Sequence, residues 1–95
     1  MAKGYWIGRV DVNNDEAYKP YTVANPAIFK KFGGRFVVRG GKFEAPEGSS
    51  RKRNVVIEFP TYEDAVACYN SSEYQSAKAK RKGAGEADIM IVEGV

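Results

Sequence analysis

The stretch Val55–Gln75, VVIEFPTYEDAVACYNSSEYQ, decides how this chain is read. Val55–Phe59 is rich in β-branched and aromatic residues and reads as the end of a strand. Pro60 stops it, and Thr61 caps a helix, with Asp64 three residues on. Tyr62, Ala65, Val66 and Tyr69 recur at helical spacing and form that helix's inward stripe. Tyr69-Asn70-Ser71 ends it. Ser72 with Gln75 repeats the capping pattern and opens a short second helix to about Lys82. One carboxylate, Glu58, stands inside the apolar strand. An ionised group there needs a partner or a task.

Outward from this stretch the elements alternate. Upstream, the third strand begins at Arg53, and Glu44–Lys52, with Pro46, Gly48, Ser49 and Ser50, is a hairpin loop. Arg35–Phe43 is a second strand, in which Gly40-Gly41 predicts a bulge. Ala17–Phe32 is helical, with Tyr21, Ala24, Ile28 and Phe32 on one face and Gly33-Gly34 as terminator. Pro20 and Pro26 predict a late start or a kink near Asn25-Pro26. Asn13-Asn14-Asp15 is a turn and capping cluster, with Glu16 three residues after Asn13. Gly4–Val12 alternates and is the first strand. Downstream, Gly83-Ala84-Gly85 breaks the chain before a last strand, Ala87–Glu93. The order is βαββαβ, which defines an α+β, ferredoxin-like fold. It predicts a single domain over residues 1–95, a four-stranded antiparallel sheet with the helices on one face, and central first and third strands expected to run parallel to each other. The other face is bare in a monomer, so a homodimer with two facing sheets is expected, closing an α/β barrel.

Composition excludes several chemistries. The chain is 43% hydrophobic and 28% charged, an ordinary globular balance. Fifteen basic and twelve acidic residues leave it at +3, a weak argument for a nucleic-acid partner. It has no histidine and a single cysteine, Cys68. Zinc sites of His and Cys, His-ligated haem and Ser-His or Cys-His catalysis within one chain are thereby removed, and no cofactor is expected. Cys68 allows no intrachain disulfide and reads as a buried small side chain. The start, MAKGYWIGRVDV, reads as a strand rather than a signal peptide, and no apolar run can span a bilayer. A cytoplasmic protein away from membranes is expected.

Strand alternation sorts the side chains. Trp6, Gly8, Val10 and Val12 face the helices, with Phe36 and Val38 and with Val55, Ile57 and Phe59. Tyr5, Ile7, Arg9, Asp11, Arg35, Val37, Arg39, Val56 and Glu58 take the open face. A hairpin centred near Glu47-Gly48-Ser49 sets Arg39 opposite Glu58, and parallel pairing brings Arg9 to the same level. The expectation is a row Arg9–Glu58–Arg39. Its plain reading is a structural ion network. Its functional reading is a site in which two guanidiniums hold a small anion and Glu58 is the catalytic base. Two arginines should keep Glu58 ionised. Tyr69 and Asn70, at the corner between helices, and Tyr5 complete the candidate ligand-binding set. Trp6, Tyr18 and Tyr21 could wall a cavity, although aromatics beneath helices usually form core.

The basic runs Arg51-Lys52-Arg53 and Lys78-Lys80-Arg81-Lys82 raise an RNA-binding alternative, because RNA-recognition modules share this topology. Those modules carry stacking rings on the open face, where the third strand has only Val56 and Glu58. The glycine pairs lack the Lys-Ser/Thr of a phosphate loop.

GYWIGRVDV, PAIFKKFGGRFVVRGGKFE, VVIEFPTYEDAVACYNSSEYQSAK and ADIMIVEG, in this order and over nearly the whole chain, resemble the bacterial domain-of-unknown-function family numbered 1330. The resemblance implies a dimeric α/β barrel. Wider relatives of that architecture include cofactor-free monooxygenases, muconolactone isomerases and haem-degrading enzymes. The haem-degrading members rely on a helix histidine that this chain lacks. Muconolactone-type isomerisation needs a positioned acid or base, for which Glu58 is the available group. Quinone-forming monooxygenases need a pocket for a polyaromatic substrate, which the aromatics here allow without requiring it. The family itself brings no established activity. The expected ligand is a small anionic or aromatic metabolite, bound or transformed without metal or haem. A non-catalytic structural or ligand-binding dimer is the alternative.

Overall fold

The structure is a computed structural model, and it describes residues 2–95. Its elements are β1 (Gly4–Val12), α1 (Asp15–Lys31), β2 (Arg35–Arg39), β3 (Arg53–Phe59), α2 (Tyr62–Asn70), α3 (Ser72–Lys80) and β4 (Gly85–Glu93). The sheet has four strands in the order β2-β3-β1-β4. The expected α+β architecture is therefore present. One expectation is overturned: β1 and β3 pair antiparallel, not parallel. A crossover through α1 returns β2 in the direction of β1, and the hairpin then reverses β3. Slotted between them, β3 opposes both.

The caps follow their side-chain chemistry. Asn14, rather than Asn13, caps α1 by accepting from the Ala17 N–H at 3.1 Å. Thr61 Oγ1 accepts from Asp64 N–H at 3.1 Å, as expected. Ser71, one residue before the expected Ser72, accepts from Tyr74 N–H at 3.1 Å and opens α3. The helix α1 starts early and runs through both prolines. Pro20 leaves the Glu16 carbonyl without its helical donor, but both residues are exposed, so water can substitute. Gly33, with φ of 81°, ends α1 in the left-handed region that favours glycine. At Gly4 a Cβ would lie 2.5 Å from the Thr61 carbonyl oxygen, so this glycine lets β1 start directly against the mouth of α2.

The core lies between sheet and helices. Trp6 is 2% exposed, and its indole N–H donates to the Ala65 carbonyl at 2.8 Å. Phe29 and Tyr74 meet its ring edge-on at 5.0 and 4.9 Å. Burying a tryptophan this fully, with its polar N–H satisfied, makes it the main anchor of the fold. Cys68 is buried in the same core, as expected, and burial pushes its thiol up to about 12.

A bulge decides what β2 presents. Arg35 faces Glu58 and Phe36 faces Ile57, but Val38 then faces Val56 and Arg39 faces Val55, so the register slips at Val37. The expected irregularity at Gly40-Gly41 thus falls earlier, and β2 ends at Arg39. One extra residue inverts every later side chain. Val38 turns to the open face, and Arg39 turns to the helix side.

Candidate functional site

The expected row Arg9–Glu58–Arg39 does not form. Antiparallel pairing sets Arg9 opposite Asn54 and Asp88, away from Glu58. The bulge removes Arg39 to the other face. Glu58 instead meets Tyr5, its neighbour on β1, and Arg35, its neighbour on β2. The Tyr5 hydroxyl donates to Glu58 Oε2 at 3.0 Å. Arg35 approaches Oε1 with Nε at 3.2 Å and Nη2 at 3.1 Å, and Lys3 Nζ stands 3.8 Å away. The Tyr5 hydrogen bond and the Arg35 guanidinium hold the Glu58 carboxyl below the usual range, against the opposing effect of desolvation. Both carboxylate oxygens are thus engaged by groups of this chain.

A second ion cluster closes the other end of the open face. Arg51 Nη1 donates to Asp11 Oδ2 at 2.8 Å and Glu86 Oε2 at 3.2 Å, while its Nε donates to Asp88 Oδ2 at 2.8 Å. The Lys52 backbone N–H donates to Asp11 Oδ1 at 3.1 Å and is the main cause of the lowered Asp11 pKa. Between the two clusters the register aligns Met90, Ile7, Val56 and Val38 in one row across all four strands. Met90 is 55% exposed and Val38 41%, so this apolar row faces outward.

The helix side holds a different arrangement. A cleft of about 50 Å³ lies between α1 and the sheet, walled by Trp6, Tyr18, Tyr21, Phe29 and Phe36. Asn25 projects from α1 into the lining, is 8% exposed, and its Oδ1 has no donor among the described residues. Arg39 and Arg53 also line the cleft. The Arg39 guanidinium stacks on Phe36 at 4.3 Å, and Arg53 lies over Tyr18 at 5.8 Å. The cleft lining includes no carboxylate, thiol or imidazole. Its chemistry is limited to one buried acceptor, two cations, phenol hydroxyls and the Thr22 hydroxyl, which donates to the Lys19 carbonyl. The Tyr21 and Tyr74 hydroxyls share a buried hydrogen bond of 2.8 Å, and burial drives the Tyr21 pKa strongly upward, so this phenol stays neutral.

Of the candidate site residues Tyr5, Arg9, Arg39, Glu58, Tyr69 and Asn70, only Arg39 reaches this cleft, while Trp6, Tyr18 and Tyr21, read from sequence as possible walls, do line it. Tyr69 packs its ring 5.7 Å from Trp6 and 5.4 Å from Tyr74, and its hydroxyl accepts from Lys78 Nζ at 3.1 Å. Asn70 is the exposed last residue of α2. Tyr5, Arg9 and Glu58 lie on the open face. Asn25 and Arg53 were not foreseen. The signal for Asn25 is its spacing: it stands four residues after Tyr21 and four before Phe29, a polar side chain inside an apolar stripe.

An α+β sandwich with one bare sheet face and a cleft beneath its first helix belongs to the ferredoxin-like class. The signature of the domain-of-unknown-function family 1330 matches residues 3–95, and the chain belongs to that family. No curated protein matches it. Among solved structures it is similar to a protein of unknown function from Rhodopseudomonas palustris, with a TM-score of 0.78 and 17% identity over 99% of this chain and 83% of that one. The cofactor-independent oxygenase SnoaB from Streptomyces nogalater matches with a TM-score of 0.69 and 10% identity over 97% of this chain and 92% of the other. A dimeric protein of unknown function with a ferredoxin-like fold, from Bacteroides fragilis, matches at 0.62 and 14% over 96% and 95%. At these identities the likeness establishes the fold.

Proposed function

We propose that this protein is a homodimer that binds a small hydroxyl-bearing carboxylate in the cleft between α1 and the sheet. The observation that carries the proposal is Asn25 Oδ1, a buried acceptor without a donor in a cleft whose lining also carries two arginines. An unpaired buried polar atom costs about 1–3 kcal/mol, which a ligand hydroxyl would recover. Arg39 and Arg53 supply the charge for a carboxylate. Size narrows the class. A cavity of about 150 Å³ holds benzene, and this cleft is about 50 Å³. The inner part of the ligand is therefore a small aliphatic group, and an aromatic ring is excluded unless β2 moves outward.

No side chain in the cleft is a general base, so turnover, if the ligand is also a substrate, rests on charge stabilisation by Arg39 and Arg53. Glu58, whose partners are all internal, is assigned to the structural ion network instead. The apolar row on the open face, lying between two internally paired ion clusters, supports dimerisation through facing sheets. A lone buried cysteine suits the reducing cytoplasm.

Trp6 is the only tryptophan and lines the cleft, so its fluorescence reports occupancy directly. Titration with lactate should give a saturable change, and Arg39→Met should abolish it while leaving the dimer intact by light scattering. Unchanged binding in Arg39→Met would sink the assignment.

A further inference from the structure

A second concavity lies on the same side of the sheet, along β4. It is a groove of about 460 Å³, floored by Ala87, Ile89 and Ile91 and bordered by Tyr69, Lys78 and Arg81. The strand β4 is at the sheet edge, and the helices cover this part of its inner face only in part, leaving Ala87, Ile89 and Ile91 half-buried. The groove is large enough for a small organic molecule. From Ala87 to Ile91 it follows the strand for about 13 Å.

Its charges are unbalanced. Lys78 Nζ donates to the Tyr69 hydroxyl and has no carboxylate partner among the described residues. Arg81 is half-buried, and its guanidinium stacks on Tyr21 at 4.9 Å. Its Nε is fully shielded and has no acceptor among the described residues. A cation partly withdrawn from water without a counter-ion is unfavourable, and a bound anion relieves it. The groove lining contributes no acid that could do so. Arg51, part-buried like Arg81, instead holds three carboxylates. The contrast marks Lys78 and Arg81 as cations kept free.

We infer that this groove binds a carboxylate with an unbranched apolar tail, its head on Lys78 and Arg81 and its tail along Ala87, Ile89 and Ile91. A cationic border over an aliphatic floor matches that amphiphile and disfavours both a neutral ligand, which leaves the cations unpaired, and a polyanion, whose further charges would lie against the aliphatic floor. The groove adjoins the α1 cleft, sharing Ile89 at their boundary, but its cationic border is its own, and the inference does not rest on ligand binding in the cleft.

The test is a titration of the full chain, labelled with nitrogen-15, with sodium octanoate below its micelle concentration, followed by amide chemical shifts. Saturable shifts should centre on Lys78, Arg81, Ala87 and Ile91, which line the groove and not the cleft. Lys78→Met, at a half-buried surface position, should weaken octanoate at least tenfold, and 1-octanol should not saturate the same resonances. Arg81→Lys, which keeps the charge and loses the stacked plane, should weaken it less than Arg81→Met. Shifts that stay linear with concentration, or that centre on Asn25 and Trp6, overturn the inference. So does equal affinity in Lys78→Met. Lactate binding in the cleft is read separately, so either site can fail without the other.

Discussion

The two faces of the sheet treat charge in opposite ways. On the open face every cluster closes on itself: Glu58 is held by Tyr5, Arg35 and Lys3, and Arg51 ties Asp11, Glu86 and Asp88 together. On the helix side, polar groups are left without partners: Asn25 Oδ1 and Arg81 Nε are both shielded and unpaired among the described residues. Folding tolerates such groups only at a cost. Internally satisfied charges hold strands in register. Unsatisfied ones mark places where something from outside completes the set.

That contrast can be broken, most severely at the wall between the faces. Trp6→Ala removes the ring that joins β1 to α1, α2 and α3, and should destabilise the protein by ~3–5 kcal/mol in urea unfolding followed by circular dichroism. The open face should respond differently. Met90→Asp places a carboxylate in the apolar row, and should weaken the dimer by ~3–5 kcal/mol, more than 100-fold, while each protomer stays folded. Light scattering over a dilution series reads the dissociation. If Met90→Asp unfolds the chain instead, the open face belongs to the protomer's own stability.

A smaller effect sharpens the comparison, because it has the reverse sign. Asn25→Leu exchanges an unpaired acceptor for an apolar group of similar size. It should stabilise the ligand-free protein by about 1 kcal/mol, several degrees in Tm, and abolish the Trp6 response to lactate. The smallest effect is at Glu58. Its carboxyl pKa lies below the usual glutamate value of 4.5 in the folded state. Its contribution is therefore present above that value and is lost as pH falls through the lower folded-state pKa. Glu58→Gln should lower Tm at about pH 7, and the difference should shrink as the pH falls below 4.5 and vanish once Glu58 is protonated in the folded state. A difference that persists in acid would mean that the carboxylate's charge is not what stabilises.

The sequence shows element order well, because strand alternation, helical stripes and capping residues are local. The strand Arg53–Phe59 and the Thr61 cap are legible to the residue. Which residues meet is not local. The α1 crossover returns β2 in the direction of β1, so β3, reversed by the hairpin and placed between them, pairs antiparallel to β1 and takes Glu58 away from Arg9. A slip at Val37 sent Arg39 through the sheet. The paired-or-functional question about Glu58 was visible from one acid in an apolar strand, but its partners were not. Tyr5 and Arg35 depend on two registers that no periodicity fixes. Asn25 was hidden by the proline that follows it, which made a helix break seem more natural than a buried polar side chain.

The bulge at Val37 also bears on how such a chain can diverge. Deleting Val37 would leave a regular ladder with Val38 still on the open face and Arg39 still on the helix side, whereas losing the bulge without losing the residue would turn Val38 inward and Arg39 outward together, so at this edge strand the number of residues between Phe36 and Val38, rather than the side chain at 39, decides which face carries the charge.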